Sequence, residues 1–246
     1  MKTMNCGRIV FGASAILFGV IALLWHDAET WQTLRQIWSL PSGLLIGECL
    51  MAAQIAGGIA ILIPRAGRLA SVILGVVYFC FSLACIPAIV ASPSVFAQYE
   101  SFCEQFSMLC GAMALFAATG TNAGGTALFG RLARMGLGVC AMCFAVSQVV
   151  YLRFTAQLVP KWIPPSPKFW VILTTIGFAL AAIALLLNRQ ARLAARLLTL
   201  MLGLFGVLVW IPRVSFHPRA HGNWSECALT FLICGAAWIV AESSSQ

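Results

Sequence analysis

The chain has 246 residues, of which 61% are hydrophobic and only 9% are charged. About a quarter of the residues of a soluble domain are charged, so this chain cannot cover a water-facing surface, and lipid must be its main solvent. Its net charge is +8. The basic residues stand in short loops with no aromatic residues between them, which argues against nucleic-acid binding and indicates contact with lipid head groups.

Eight apolar stretches are long enough to cross a bilayer as helices, each of which needs about 20 residues. They lie at 9–25, 44–63, 69–90, 102–118, 135–152, 169–187, 193–211 and 224–241. Barrel strands would be about 10 residues long and would alternate in polarity, which these stretches do not. The sequence therefore predicts an all-α polytopic membrane protein with eight transmembrane helices. The fourth, fifth and eighth apolar stretches are short, so we expect these helices either to run nearly upright or to extend at their ends through Trp and Cys residues.

Two of the predicted loops are long. Residues 28–38 have the pattern of a short amphipathic helix, with Trp31 and Trp38 toward the lipid boundary. The loop before the sixth span cannot be helical throughout, because three of its prolines remove backbone donors. We expect that loop to lie at the membrane interface, anchored by Trp162.

Three polar side chains within the predicted spans are candidate binding residues: Glu48, Gln54 and Gln148. A charge inside a span is costly and marks function, although Glu48 is one turn from a loop and can also extend to water. The three residues either line one central polar seam or form hydrogen bonds between helices. We favour the second role, because no further carboxylate or basic residue lies deep in the predicted spans.

Cysteines are frequent, with ten in the chain, and most lie in apolar helices, where they behave as small hydrophobic residues. Cys140 and Cys143 have the Cys-x-x-Cys spacing of a redox pair, and a thiol pair beside a quinone is a coherent mechanism. They are weak catalytic candidates, because no cation closer than Arg134 is present to activate a thiol. Helix packing is the favoured role.

Cys103 and Cys227 stand at matching helix starts on one side of the membrane. If the two halves of the chain pack about a twofold axis, these residues approach each other. A disulfide between them is a further hypothesis, and it requires Cα atoms within about 7 Å.

His217, His221 and Glu226 form a grouping of histidine and carboxylate. The two histidines are weak candidates for a metal site, because the proline and glycine between and after them prevent a regular helix from presenting both rings on one face. Glu226 stands at the entry of the last predicted helix, where we expect it to cap the helix, or to pair with Arg213 or Arg219.

An internal repeat runs through the chain. Arg65 and Arg68 match Arg189 and Arg192 at a spacing of 124 residues, and similar spacings relate the Ile-Pro pairs and the Cys-Gly-Ala segments of the two halves. We therefore predict a first four-helix repeat at 1–120, a cytoplasmic linker at 121–129 and a second repeat at 130–246. Because each repeat has an even number of helices, the two are parallel in the membrane.

The distribution of lysine and arginine predicts the orientation. Nine of these residues fall on the face that holds both termini and six on the opposite face, so both termini should be cytoplasmic.

The segment 159–175, its continuation at 180–186 and the segment 221–226 resemble the DoxX-like family of integral membrane proteins. Each half of the chain is similar to one family unit. The family often has a glutamate in the span after the proline loop, where this chain has Phe178 and, in the first half, Gln54. The resemblance implies a multi-pass protein of a bacterial-type inner membrane, linked to quinone-coupled or oxidative-stress systems.

Three functions are left open. The leading expectation is a non-catalytic or accessory subunit that binds a membrane-protein partner or a second copy of itself. The alternatives are a permease for a small molecule between the two repeats, using Glu48, Gln54 and Gln148, and a quinone-dependent oxidoreductase subunit using Cys140 and Cys143.

Overall fold

The structure, a computed structural model, describes residues 6–25, 36–120 and 123–243. Across these residues the backbone forms helices and no strand, and eight helices are long and apolar enough to cross a membrane. They are α1 Cys6–Leu24, α2 Gly43–Leu62, α3 Gly67–Ala91, α4 Phe96–Thr119, α5 Ala123–Val150, α6 Pro167–Leu186, α7 Ala191–Phe216 and α8 His221–Ser243. The predicted all-α polytopic fold is confirmed. Most of the predicted amphipathic segment, residues 28–35, lies outside the described residues.

The fourth, fifth and eighth helices extend beyond their short apolar stretches, which is one of the two outcomes expected for them. These helices have 24, 28 and 23 residues. Polar residues such as Glu100 and Asn223 precede the apolar stretches, but the backbone hydrogen-bonding pattern of the helix continues through them. For the same reason α5 begins at Ala123, so residues 123–129 of the predicted linker are helical.

Prolines interrupt α3 and α7 near their ends. In α3 the helical hydrogen bonding breaks at Cys85, before Pro87, and a short segment Ile86–Ala91 follows. In α7 a π-helical turn, Gly206–Trp210, precedes the segment that contains Pro212. A proline inside a helix removes one backbone donor and crowds the preceding turn, which accounts for both interruptions. The second long loop is non-helical from 159 to 166, as its prolines predict.

Each helix packs against its neighbours in sequence from α1 to α4 and again from α5 to α8. In addition, α1 packs along α8, α5 packs along α4, and α4 packs directly against α8. The first four helices therefore do not form a bundle isolated from the last four. Because α4 and α8 share the centre, residues on these two helices can face partners from both halves.

Side-chain contacts identify the two ends of the bundle. At one end, which we call the terminal face, Arg8 donates to the carbonyl oxygen of Ile61 at 3.2 Å and Arg134 donates to that of Leu185. At the other end, the distal face, the rings of Trp25 and His221 stack with their centroids 4.2 Å apart. Helices α4 and α8 therefore begin at the distal face, and α1 and α5 end there.

Candidate functional site

Three thiols meet between α4 and α5 toward the distal face. Cys140 and Cys143 are one helical turn apart on α5, so both project from the same side of that helix. The thiol of Cys103, on α4, lies close enough to interact with both. Cys103 and Cys140 are buried and Cys143 is partly buried.

The packing of α4 on α5 explains why these thiols meet. A Cβ atom at Gly136 of α5 would lie 2.5 Å from the Cys110 sulfur and 3.0 Å from the Phe106 ring, so this side of α4 faces α5 closely. Cys103, Phe106 and Cys110 recur at intervals of three and four residues, and they therefore share one side of α4.

Carboxylates surround the thiols. Glu100 and Glu104, on α4, precede and follow Cys103, and both are partly buried. Glu226, on α8, lies close enough to interact electrostatically with both of them, and Glu104 also interacts with Cys143. From α5, the hydroxyl of Ser147 donates to Glu100 Oε2 at 2.5 Å. We call Cys103, Cys140, Cys143, Glu100, Glu104 and Glu226 the thiol–carboxylate cluster.

A close crossing of α4 and α8 brings Glu226 to this cluster. A Cβ atom at Gly111 of α4 would lie 2.5 Å from the Cβ of Ala236 on α8. On the other side of α8, a Cβ atom at Gly235 would lie 2.6 Å from the backbone nitrogen of Phe11 on α1. Glycine is therefore required at both positions for the helix backbones to approach this closely.

The predicted disulfide between Cys103 and Cys227 is not formed, and both residues carry free thiols. The reason is the direction in which Cys103 faces: its sulfur contacts α5 rather than α8. The expectation that Cys140 and Cys143 serve only in packing overlooked this third thiol.

A feature of the sequence could have identified the third thiol. Cys103 lies 17 residues before Gly120, and Cys140 lies 17 residues after Ala123. Two antiparallel helices joined at that turn place these residues at the same depth, because each residue advances the helix by about 1.5 Å.

Glu226 does not cap its helix. It is the sixth residue of α8, one turn beyond the helix start at His221, and it faces the carboxylates of α4. The predicted pairing with Arg213 finds no support in the described contacts, since that guanidinium donates to the carbonyl oxygen of Gln157 at 3.3 Å.

The two histidines do not join Glu226. His217 is exposed between α7 and α8, and His221 stacks on Trp25. Within 6–25, 36–120 and 123–243, no three His, Cys, Asp or Glu side chains are arranged to hold a metal ion.

The remaining predicted polar residues are separated. Gln54 is fully buried, and its Nε2 donates to the carbonyl oxygen of Ala15 on α1 at 3.0 Å. Gln148 accepts hydrogen bonds from Thr174 and Thr175 on α6 at 3.0 and 2.9 Å. Because one glutamine joins α2 to α1 and the other joins α5 to α6, they line no common seam. Glu48 is partly buried near the distal end of α2.

An apolar groove of about 310 Å³ lies between α6 and α7, lined by residues such as Gly177, Leu180, Leu197 and Met201. No charged residue lines it. Reactive and titratable side chains gather in the thiol–carboxylate cluster instead. Comparison of the chain with family models, with curated proteins and with solved structures finds no match.

Proposed function

We propose that the protein is a membrane-embedded thiol oxidoreductase that exchanges two electrons with a lipid-soluble quinone. The observation that carries the proposal is the approach of Cys103 to both Cys140 and Cys143, beside the carboxylates of Glu100, Glu104 and Glu226. Thiols that serve only in packing need neither a third thiol nor ionisable neighbours, and carboxylates within a membrane span are costly.

The reacting pair consists of Cys103 and either Cys140 or Cys143, rather than of Cys140 and Cys143 with each other. Cβ atoms three residues apart in a regular helix are separated by about 5–6 Å, whereas a disulfide needs Cβ atoms about 3.5–4.5 Å apart. A bond between Cys140 and Cys143 would distort the middle of α5. Cys103 approaches from another helix, so a disulfide with Cys140 or Cys143 can form without that distortion.

The reaction balances as a two-electron, two-proton exchange. Two thiols lose two protons and two electrons, one sulfur–sulfur bond forms, and the quinone takes up both protons and both electrons to become a quinol. A dithiol substrate returns the disulfide to the reduced state by thiol–disulfide exchange.

The wider assignment also belongs to this proposal: a DoxX-like protein of a bacterial-type inner membrane, built by duplication, with its terminal face in the cytoplasm. The exchange of α1–α4 with α5–α8 maps the main helix pairs onto one another, which supports the duplication. The pair α1 and α2 corresponds to α5 and α6, α3 and α4 to α7 and α8, and α1 and α8 to α5 and α4. The arginines near the terminal face support the orientation. The permease alternative has less support, because Gln54 bonds α1 while Gln148 bonds α6.

Disulfide mapping tests the function. A full-length variant that keeps Cys103, Cys140 and Cys143, with the other seven cysteines replaced by serine, is exposed to a short-chain benzoquinone in detergent. We expect a disulfide that joins Cys103 to Cys140 or Cys143, with one quinol formed per disulfide. Additional replacement of Cys103 by serine should abolish both products.

The control uses the repeat equivalent of Cys103. In the wild-type chain, Cys227→Ser should leave both products unchanged. Thiols that remain reduced after quinone treatment would overturn the function. A Cys140–Cys143 bond instead would overturn the assignment of Cys103.

A further inference from the structure

The apolar groove between α6 and α7, which we call the α6–α7 groove, lies where these two helices pack less closely than α2 and α3 do. At Gly57 of α2, a Cβ atom would lie 2.7 Å from the Leu74 side chain of α3, so glycine is needed for that close approach. The residue 124 positions after Gly57 is Ala181, which lines the groove. Because Ala181 carries the Cβ that Gly57 lacks, it holds α7 farther from α6 and leaves the space open.

The length of the α6–α7 groove matches one leaflet of a bilayer. It runs from Gln190, beside the terminal face, to Gly177 and Met201 deeper in the span. Met201 lies about 16 Å along the helix from Gln190, at about 1.5 Å per residue. One leaflet of the hydrocarbon core is about 15 Å thick. Apart from Gln190, the lining residues are apolar. The groove therefore has a polar end at the terminal face and an apolar remainder that spans one leaflet.

Three exposed arginines stand near the polar end of the groove: Arg189, Arg192 and Arg196. The second and third of them each precede a leucine that lines the groove. Arg196 lies within the α7 span, where a charge is costly and indicates a functional partner. The residue 124 positions before Arg196 is Val72, so the same place in the other half of the chain is apolar. The additional positive charge and the open groove thus occur together in the second half.

Acidic residues of the same helices do not neutralise this positive charge. The sequence has no Asp or Glu between Glu104 and Glu226, so α5, α6 and α7 contain none. Glu242, near the terminal end of α8, interacts electrostatically with Arg8. A twofold contact between two copies of the chain through this groove would bring like charges together. The charge therefore favours an anionic partner from outside the chain.

We propose that the α6–α7 groove binds an anionic phospholipid of the leaflet at the terminal face. One acyl chain lies in the apolar part of the groove, and the phosphate binds the guanidinium groups of Arg192 and Arg196, whose planar donors match phosphate oxygens. The Gln190 amide donates to the same head group. A quinone tail would fill the apolar part but would leave the arginines without an anion. This inference does not depend on the redox function proposed above.

Lipid titration followed by native mass spectrometry tests the charge. The full-length protein, stripped of lipid in detergent, is titrated with phosphatidylglycerol and with phosphatidylcholine that has the same acyl chains. Phosphatidylglycerol should bind at least fivefold more tightly. Arg196→Gln should weaken its binding about fivefold and leave phosphatidylcholine unchanged, since each basic residue near a membrane surface contributes about that factor. The matched control is Arg65→Gln, which removes an exposed arginine at the hairpin between α2 and α3 and should change neither affinity.

Substitutions that fill the groove test the position of the acyl chain without changing the charge. Ala184→Phe, at a lining position, should weaken the binding of both lipids. Leu197→Trp, at a lining position that is also exposed, should have the same effect with less disturbance of the helix packing. The control is Ile183→Phe, because Ile183 is exposed and does not line the groove. That variant should bind both lipids as the wild-type chain does.

Four outcomes would overturn the inference. Equal affinities for the two lipids, or an unchanged affinity in Arg196→Gln, would remove the role of the charge. Competition by glycerol phosphate alone would indicate a phosphate site that does not use the groove. Displacement of phosphatidylglycerol by an equal concentration of a benzoquinone with a decyl tail would assign the groove to the quinone. A wild-type dimer that Ala184→Phe converts to a monomer would assign it to a second copy of the chain.

Discussion

At the scale of single residues, three buried polar side chains distinguish the first half of the protein from the second. The hydroxyl of Tyr78 and the side-chain oxygens of Gln54 and Gln105 are buried, with no hydrogen-bond partner in the described part of the chain. The residue 124 positions after Tyr78 is Leu202, the one after Gln54 is Phe178, and the one after Gln105 is Leu229. All three are apolar and buried. Similar packing thus accepts an apolar residue at each position.

Replacement of Tyr78 tests this difference. A buried polar group without a partner costs about 1–3 kcal/mol, so Tyr78→Phe should raise the free energy of unfolding by about 1 kcal/mol, measured by chemical unfolding in mixed micelles. The control is Tyr151→Phe, because the Tyr151 hydroxyl accepts a hydrogen bond from the Ala97 N–H at 3.1 Å. That variant should lose about 1 kcal/mol. A loss of stability in Tyr78→Phe would mean that the hydroxyl does have a partner.

At the scale of helices, the crossing of α4 and α8 decides whether the thiol–carboxylate cluster assembles. Helices in lipid gain little from burying apolar surface, so they associate through close packing of small residues. Gly111 provides that close approach between α4 and α8, and Gly235 provides it between α8 and α1. Since Glu226 is on α8 and Glu104 is on α4, a wider crossing would separate them.

Two glycine substitutions distinguish close packing from a general effect of helical glycine. Gly111→Ala places a Cβ 2.5 Å from that of Ala236, and it should destabilise the protein by about 1–3 kcal/mol. Gly75→Ala on α3 meets nothing closer than the Ala112 Cβ at 3.9 Å, and it should be neutral or stabilise by up to about 1 kcal/mol. Thermal unfolding in detergent measures both. Equal effects from the two variants would argue against a tight crossing.

At the scale of the whole molecule, the proposed duplication and the proposed orientation are linked. An even number of helices in each half requires the hairpins at 63–66 and 187–190 to lie on the same side of the membrane. Arg8 and Arg134, near these hairpins, bond carbonyl groups close to the ends of α2 and α6.

Single cysteines introduced into a cysteine-free chain test the orientation in intact cells. Ala66→Cys and Asn188→Cys should both resist a membrane-impermeant maleimide added from outside, and Trp162→Cys should react with it. Opening the cells should make both hairpin sites reactive. Labelling of the two hairpins from opposite sides would contradict both the orientation and the parallel repeats.

The sequence by itself determined the number of spans, the helical class and the non-helical proline loop, because hydropathy and backbone chemistry are properties of contiguous residues. Only the tertiary structure decided that Cys103 contacts α5 rather than Cys227, that Glu226 faces Glu104, and that Gln54 and Gln148 are apart. All helices in lipid share the same apolar pattern, so this pattern does not specify which side of one helix meets which neighbour. Close packing at small residues such as Gly111 determines which sides of two helices meet, and this packing depends on the shapes of both helices.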